Sequence, residues 1–402
     1  MRGRHRASRP PSGQKMKRLY LDYNATAPIR PEARAAMLDA LATVGNASSV
    51  HGEGRDAHRR IEAARIEVAR LAGSDPRLVT FTSGGTEANG TVLTPHWTLR
   101  GQPHPIDVLL VGATEHVSVL SGGRFSPEKV RQIPVDANGV VQSSKLAALL
   151  AETAAKGERA LVSVMLANNE TGVIQPVAEL SRVAHGAGAI LHCDAIQAAG
   201  RISLDVSELG VDALTLSAHK IGGPQGAGAI VRASEDLSFA PLLTGGGQEK
   251  RFRAGTENVV AISGFGAAAG AALADLPKAQ SWSAWRDELA FAMTGAGPGA
   301  TVFGAGVPRL PQTLCIGLDG IPAETLVIAL DLAGVAVSSG SACSSGKVAP
   351  SHVLAAMGVP APLAKSAIRL SLGWESKDSD LHLFATAWRR VLKHIAPKHQ
   401  AA

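Results

Sequence analysis

Between residues 56 and 231 the chain alternates between two hydrophobic periods, and few architectures accept that pattern. Ala57, Ile61, Ala64, Val68 and Leu71 recur at spacings of four and three, the period of a helix with one apolar face, and Gly73 stops the run. Leu78–Thr82 is a strand-like run followed by Ser83-Gly84-Gly85 and another helical stretch. Asp107–Val111 and Leu161–Leu166 predict further strands, and residues 143–156 between them predict a helix opened by serines and ended near Gly157. Pro176 suits the first turn of a helix, where its missing N–H costs nothing. Ile190–His192, Leu214–Leu216 and Ala229–Val231 complete the series. Strands alternating with helices in this way imply an α/β fold with a mostly parallel central sheet flanked by helices.

After about residue 275 the texture changes to helical stretches and short strands around Cys343, with a basic helix at Trp388–His394. The expected division is a basic tail over 1–16, a large domain over 30–272 and a smaller α+β domain over 273–395. Residues 17–29 are expected to pack against the small domain. A chain of 402 residues has room for both cores.

Charge excludes one class of partner. The formal net charge is +6, yet residues 1–18 carry seven Lys and Arg and no acid, which leaves −1 for the rest. The body therefore offers no electrostatic reason to bind nucleic acid. The tail is acid-free but holds Pro10 and Pro11 and no amphipathic face, and Met16 directly precedes the first strand-like residues. An over-extended start or a disordered tail is expected there rather than a targeting segment. No apolar run of about eighteen residues occurs, so no membrane span is expected. The three cysteines, Cys193, Cys315 and Cys343, imply no disulfide framework and fit a reducing, cytoplasmic setting.

The residues with chemical potential fall at strand ends, where parallel sheets bind ligands. Ser83-Gly84-Gly85-Thr86 follows a strand and opens a helix, a geometry whose N–H groups can hold a phosphate, although glycine at such turns is common. Asp194 closes another strand, where an aspartate also serves as a helix cap. Ser217-Ala218-His219-Lys220 closes a third, and a partly buried lysine beside a glycine-rich turn can form a Schiff base. A phosphate cradle, a carboxylate for a pyridinium nitrogen and an amine for an aldehyde are together what pyridoxal 5'-phosphate needs. Cys343 lies in Ser338-Ser339-Gly340-Ser341-Ala342-Cys343-Ser344-Ser345-Gly346, with no bulky neighbour to wall in the thiol. Cys193 and Cys315 sit in strand-like runs and are expected in the core.

Nine pieces then run in one order: Tyr20–Thr26, Thr82–Glu87, Thr114-Glu115-His116, Asn168–Gly172, Asp194–Gln197, Ser217–Lys220, Arg253–Asn258, Ser338–Cys343 and Arg369–Gly373. In this order the chain resembles the cysteine desulfurases of the class V aminotransferase superfamily. The resemblance implies the pyridoxal-phosphate transferase fold of type I, with Lys220 holding the cofactor and Asp194 paired to its ring nitrogen. His116 would stack on the ring and shuttle protons, and Gln197 would bond the phenolic oxygen. Gly85, Thr86, Ser217 and His219 would cradle the phosphate, joined by Thr256 from the other subunit of a homodimer. Asn169 would orient the substrate, and Arg369 with Asn24 would clamp its carboxylate.

The implied reaction takes L-cysteine to L-alanine and leaves the sulfur on Cys343 as a persulfide. Lys220 or His116 is the base. A sulfur-acceptor protein, an iron–sulfur cluster scaffold among the options, would collect it. No metal site is expected. Alternatives are a selenocysteine lyase or another lyase of the same fold and, more distantly, a cofactor-free sulfurtransferase or scaffold using Cys343. The chain departs from the family pattern at Ala27, Ala47 and Gly90, none of which carries an implied role.

Overall fold

The structure is a computed structural model describing residues 18–296, 299–340 and 350–399; Cys343 and residues 1–17 lie outside them. Seven strands form the central sheet: β1 (Val79–Thr82), β2 (Val108–Gly112), β3 (Val130–Ile133), β4 (Ala160–Met165), β5 (Ile190–Asp194), β6 (Ala213–Ser217) and β7 (Gly228–Arg232). Their spatial order is β1-β7-β6-β5-β4-β2-β3. The run from β6 to β3 is parallel, and only β7 is reversed, pairing antiparallel with both β6 and β1. β4, β5 and β6 are buried at every position, as expected of parallel strands covered by helices on both faces.

The helix Gly52–Ala72 ends at Gly73, whose φ of 60° is the left-handed cap that glycine takes without strain. It lies against Val259–Ala274, a helix rich in alanine and glycine whose small side chains let the two backbones approach. A Cβ on Gly266 would come within 2.4 Å of Ala64 Cα. That stretch is therefore core, and among the described residues no single helix is long and apolar enough to cross a membrane.

A second, four-stranded antiparallel sheet runs Ala300–Val302, Thr313–Leu318, Ala367–Ser371, Ser338–Ser339. Its apolar side packs on Leu326, Phe384 and Trp388, and Leu19 and Leu21 join the same cluster. Leu19–Tyr20 pairs in parallel with Val335–Ala336 as a separate two-stranded ladder, and Asp22 bridges Ser371, which ties the first described residues to the second sheet.

One sheet is absent from the sequence pattern. His96–Leu99 and Gln102–Pro105 form a hairpin, with Leu237–Phe239 as the third strand. Pro103 and Pro105 argue against a strand, and the structure resolves the conflict by placing Gln102–Pro105 at the sheet edge, where lost N–H groups face no partner strand. The two-residue turn is Arg100-Gly101, with φ of 50° and 74°, so an arginine takes a place usually held by asparagine or aspartate.

Glu249, Lys250 and Arg251 have consecutive φ values of 45°, 54° and 70°, each a strained conformation for a residue with a side chain. A buried bidentate pair holds them: Arg65 Nη1 and Nη2 each donate to Glu249 at 2.8 Å, and Phe81 N donates to the same carboxylate at 2.8 Å. Glu249→Gln takes the bidentate carboxylate from Arg65, whose side chain is 8 % exposed, and leaves it paired, among the described residues, only through Nε to Glu62 at 3.0 Å. The expected cost is about 3 kcal/mol of stability, read by denaturant titration.

Candidate active site

The carboxyl ends of β1, β2, β4, β5 and β6 meet at one cavity of about 330 Å³. Among its lining residues are Asn24, Gly85, Thr86, His116, Asn169, Asp194, Gln197, Ser217, His219, Lys220 and Arg369. Of the expected site residues within the described segments, Thr256 alone lies outside it, exposed on the segment after Arg253. Arg253 itself is paired to Glu87 at 3.0 Å.

Gly85 opens the helix Gly85–Val92 directly after β1. A Cβ there would clash with the Ile196 side chain at 2.3 Å and stand 3.4 Å from Ser217 Cβ, so glycine keeps this corner of the cavity, which Thr86 and Ser217 also line, free of a side chain. Lys220 sits in a tight turn, Ala218–Lys220, that follows β6 without a break. Its Nζ donates to the carbonyls of Asn24 and Ala25 at 2.7 and 2.8 Å. Asp194 ends β5; Ile196 N donates to its Oδ1 at 3.0 Å and Asn89 Nδ2 to its Oδ2 at 2.8 Å. Burial pushes its carboxyl above the ordinary range, against the pull of these donors and of His116 and Lys220.

His116 caps the short helix Val117–Leu120, its Nδ1 accepting from Ser118 N at 3.2 Å. Burial pulls its pKa below the ordinary value, so the neutral ring is favoured. His219, 3.3 Å from Thr26 Oγ1, is pulled down to about 4 by burial and by the charges of Lys220 and Arg201. Arg369 is 2 % exposed; Nη2 donates to Asp22 at 2.7 Å and Nη1 to the Asn169 carbonyl at 3.0 Å. Its Nε has no partner among the described residues.

Several residues that position this site gave no separate signal in the sequence. Arg201 is buried and donates to Gln197 Oε1 at 2.7 Å and to the Lys220 carbonyl at 3.1 Å. It therefore turns the Gln197 amide so that Nε2, the donor end, faces the Asn24 carbonyl at 3.0 Å. Burial pulls Arg201 itself down to about 9. His352, from the second half of the chain, bonds the Glu115 carbonyl at 2.9 Å and so reaches the backbone beside His116. Asn24 commits both amide hydrogens, to the Asn169 carbonyl at 3.2 Å and to Thr313 at 2.9 Å. Buried polar side chains such as these are legible only once their partners are known.

Glu170 lies behind Arg369 and accepts from Ser351 Oγ at 2.5 Å. Burial raises its carboxyl to about 7, opposed by Ser351 and Arg369. From the ordinary carboxyl range up to about 7 the folded state holds a proton that the unfolded chain has released. Stability is therefore lost as pH rises through that window and is level above it. Glu170→Gln is expected to remove this slope, a change on the order of 3 kcal/mol between pH 4 and 8, read from denaturation midpoints.

The profile of the Aminotransferase class-V family matches residues 19–384. The chain belongs to that family. This class-V member is 42 % identical over 363 residues to a cysteine desulfurase of Cereibacter sphaeroides, covering 89 % of this chain and 91 % of that protein. It is 40 % identical to an IscS-like cysteine desulfurase of Mycobacterium tuberculosis, covering 90 % and 93 %. In three dimensions it superposes on a NifS-like protein of Rickettsia africae with a TM-score of 0.83 at 33 % identity, over 94 % of this chain and 99 % of that one. The fold class expected from the strand–helix alternation is thus the family's fold. Cys193 and Cys315 are both fully buried, as the strand pattern implied, and burial raises both thiols above their ordinary pKa.

Proposed function

We propose that this class-V aminotransferase relative is a cysteine desulfurase: with pyridoxal phosphate it takes L-cysteine, releases L-alanine and leaves the sulfur on Cys343. One observation carries this reading: Lys220, Asp194 and His116 share a single cavity with Arg369. The residues suit the cofactor. The cavity offers an amine for an aldehyde, a carboxylate for a ring nitrogen and an imidazole for a ring face. It also has the Thr86 and Ser217 side chains beside Gly85, where any Cβ would clash with Ile196.

Bound there, pyridoxal phosphate supplies the electron sink that lets the substrate lose its α-proton and weakens its C–S bond. Lys220 holds the cofactor covalently, and Asp194 keeps its ring nitrogen protonated. Thr86, Ser217 and His219 surround the phosphate; His219 does so as a neutral donor. Gln197 presents an N–H to the phenolic oxygen because Arg201 occupies its carbonyl end. Arg369, which lines the cavity, meets the substrate carboxylate as a charge-assisted pair. Asn169 orients the substrate. Asn24 supports the clamp through Asn169, since both of its amide hydrogens are already engaged. Lys220 takes the α-proton, since the lone pair of His116 Nδ1 is already engaged by Ser118.

The Cys343 thiolate then attacks the substrate sulfur, and the electrons of the broken C–S bond return to the carbon skeleton, which is protonated to alanine. The sulfur remains as a persulfide. The role of Cys343 rests on the sequence alone. The chain works as a homodimer in the cytoplasm, with Thr256, exposed in the single chain, completing the phosphate site of the other subunit. A sulfur-acceptor protein such as an iron–sulfur scaffold unloads Cys343. The test is direct: purified protein given pyridoxal phosphate should gain the visible absorption of the lysine-bound cofactor and turn L-cysteine into L-alanine. A colourless protein that converts no cysteine would refute the reading.

A further inference from the structure

Asp194 and His116, the two groups that would meet the cofactor ring, are joined behind the cavity by one side chain. Asn89 is fully buried on the helix Gly85–Val92, one turn past Gly85. Its Nδ2 donates to Asp194 Oδ2 at 2.8 Å and to Ser118 Oγ at 3.0 Å, and its Oδ1 accepts from Thr215 Oγ1 at 2.6 Å. A carboxamide has hydrogens at one end only, so these contacts fix which way it faces.

The direction of every neighbouring hydrogen bond follows. Thr215 has one hydroxyl hydrogen and gives it to Asn89, so in the 3.1 Å contact with His192 it is His192 Nε2 that donates. Burial pulls His192 down to about 3, and its neutral ring has a single N–H. Nδ1 therefore accepts from Ser163 Oγ, 2.9 Å away. On the other side, Ser118 Oγ accepts from Asn89. Because His116 Nδ1 accepts from the Ser118 backbone N–H, the 2.8 Å contact between Ser118 Oγ and that nitrogen is one in which the hydroxyl donates. The Ser118 backbone N–H reaches the same atom at 3.2 Å. His116 Nδ1 thus accepts twice, and the neutral ring carries its hydrogen on Nε2.

We propose that Asn89 is a positioning residue that sets the protonation of both ring-facing groups together, holding Asp194 as an acceptor and His116 as the neutral imidazole protonated on Nε2. This rests on the reading above, in which those two groups face pyridoxal phosphate. Asn89 is not among the residues that line the cavity. Asp194 from β5, Lys220 from the turn after β6 and His352 from the helix His352–Ala356 act on His116 electrostatically, and buried Glu115 precedes it. All of these stay in place when Asn89 alone is changed.

Loss of Asn89 removes a donor from Asp194 and frees the Ser118 hydroxyl to turn away from His116. Both groups then take up protons more readily. The experiment uses the cofactor-loaded protein with ¹⁵N in its histidines and in the pyridine ring of the cofactor. At pH 7 the wild type should show a protonated ring nitrogen and a His116 hydrogen on Nε2. Asn89→Ala should raise the proton affinity of His116 roughly three- to tenfold, the scale of one hydrogen bond, and move the ring nitrogen toward its unprotonated shift. Thr215→Val, which keeps Asn89 but removes the hydroxyl that orients it, should move both signals the same way by less. Should Asn89→Ala fail to fold, Thr215→Val decides alone. Unmoved signals in variants that melt like the wild type overturn the proposal and leave the functional reading intact. A wild type that takes up no cofactor overturns both.

Discussion

Lys220→Ala is expected to yield a folded protein that has lost the visible absorption of covalently held pyridoxal phosphate and releases alanine from cysteine about a thousandfold more slowly, or not at all. Lys220 sits in a turn fixed by the backbone: Ala218 N bonds the Ala227 carbonyl at 3.0 Å and Gly223 N bonds the Ala218 carbonyl at 2.9 Å. The turn does not depend on the amine. Removing the side chain leaves the carbonyls of Asn24 and Ala25 facing a cavity large enough for water, so the loss of stability should be small. Absorption spectra, an alanine assay and a melting curve on the same sample separate a chemical loss from unfolding. Wild-type absorption in Lys220→Ala would remove this lysine from the account.

Cys343→Ser should give the opposite dissociation: full cofactor absorption with alanine release again down by about a thousandfold. A serine hydroxyl is not ionised near neutral pH and cannot store a sulfur atom as a persulfide. The other two cysteines serve as controls. Cys193 and Cys315 are fully buried, and burial disfavours their thiolates. Serine at either position should lower the melting temperature while leaving turnover per folded molecule unchanged. Loss of turnover at Cys193 or Cys315, with Cys343→Ser fully active, would reassign the nucleophile.

Much of this molecule is legible in its sequence because two of its signals are local. The helical period from Ala57 to Leu71 and the buried runs at 160–166, 190–194 and 213–217 each specify an element without reference to the rest of the chain. Placing Asp194 and Lys220 at strand ends then brings them to one edge of a parallel sheet, since neighbouring parallel strands end on the same side. What stayed hidden depends on distant partners. The hairpin at 96–105 is masked by two prolines that only an edge position tolerates. Asn89, Arg201 and His352 acquire meaning through contacts with residues that lie far away in sequence. A lone buried asparagine in a helix gives no sign of which carboxylate it faces. Motif order could assign Asn24 to the substrate, but only the fold reveals that both of its amide hydrogens are engaged, by the Asn169 carbonyl and by Thr313.

The most direct test of the central claim is a single turnover of the cofactor-loaded protein with one equivalent of L-cysteine and no reductant. The products are counted, and the protein is digested for mass spectrometry. The account predicts one L-alanine per active site and one added sulfur atom on the peptide that carries Cys343. Pyruvate and free sulfide in place of alanine, or alanine with no sulfur on that peptide, would contradict it.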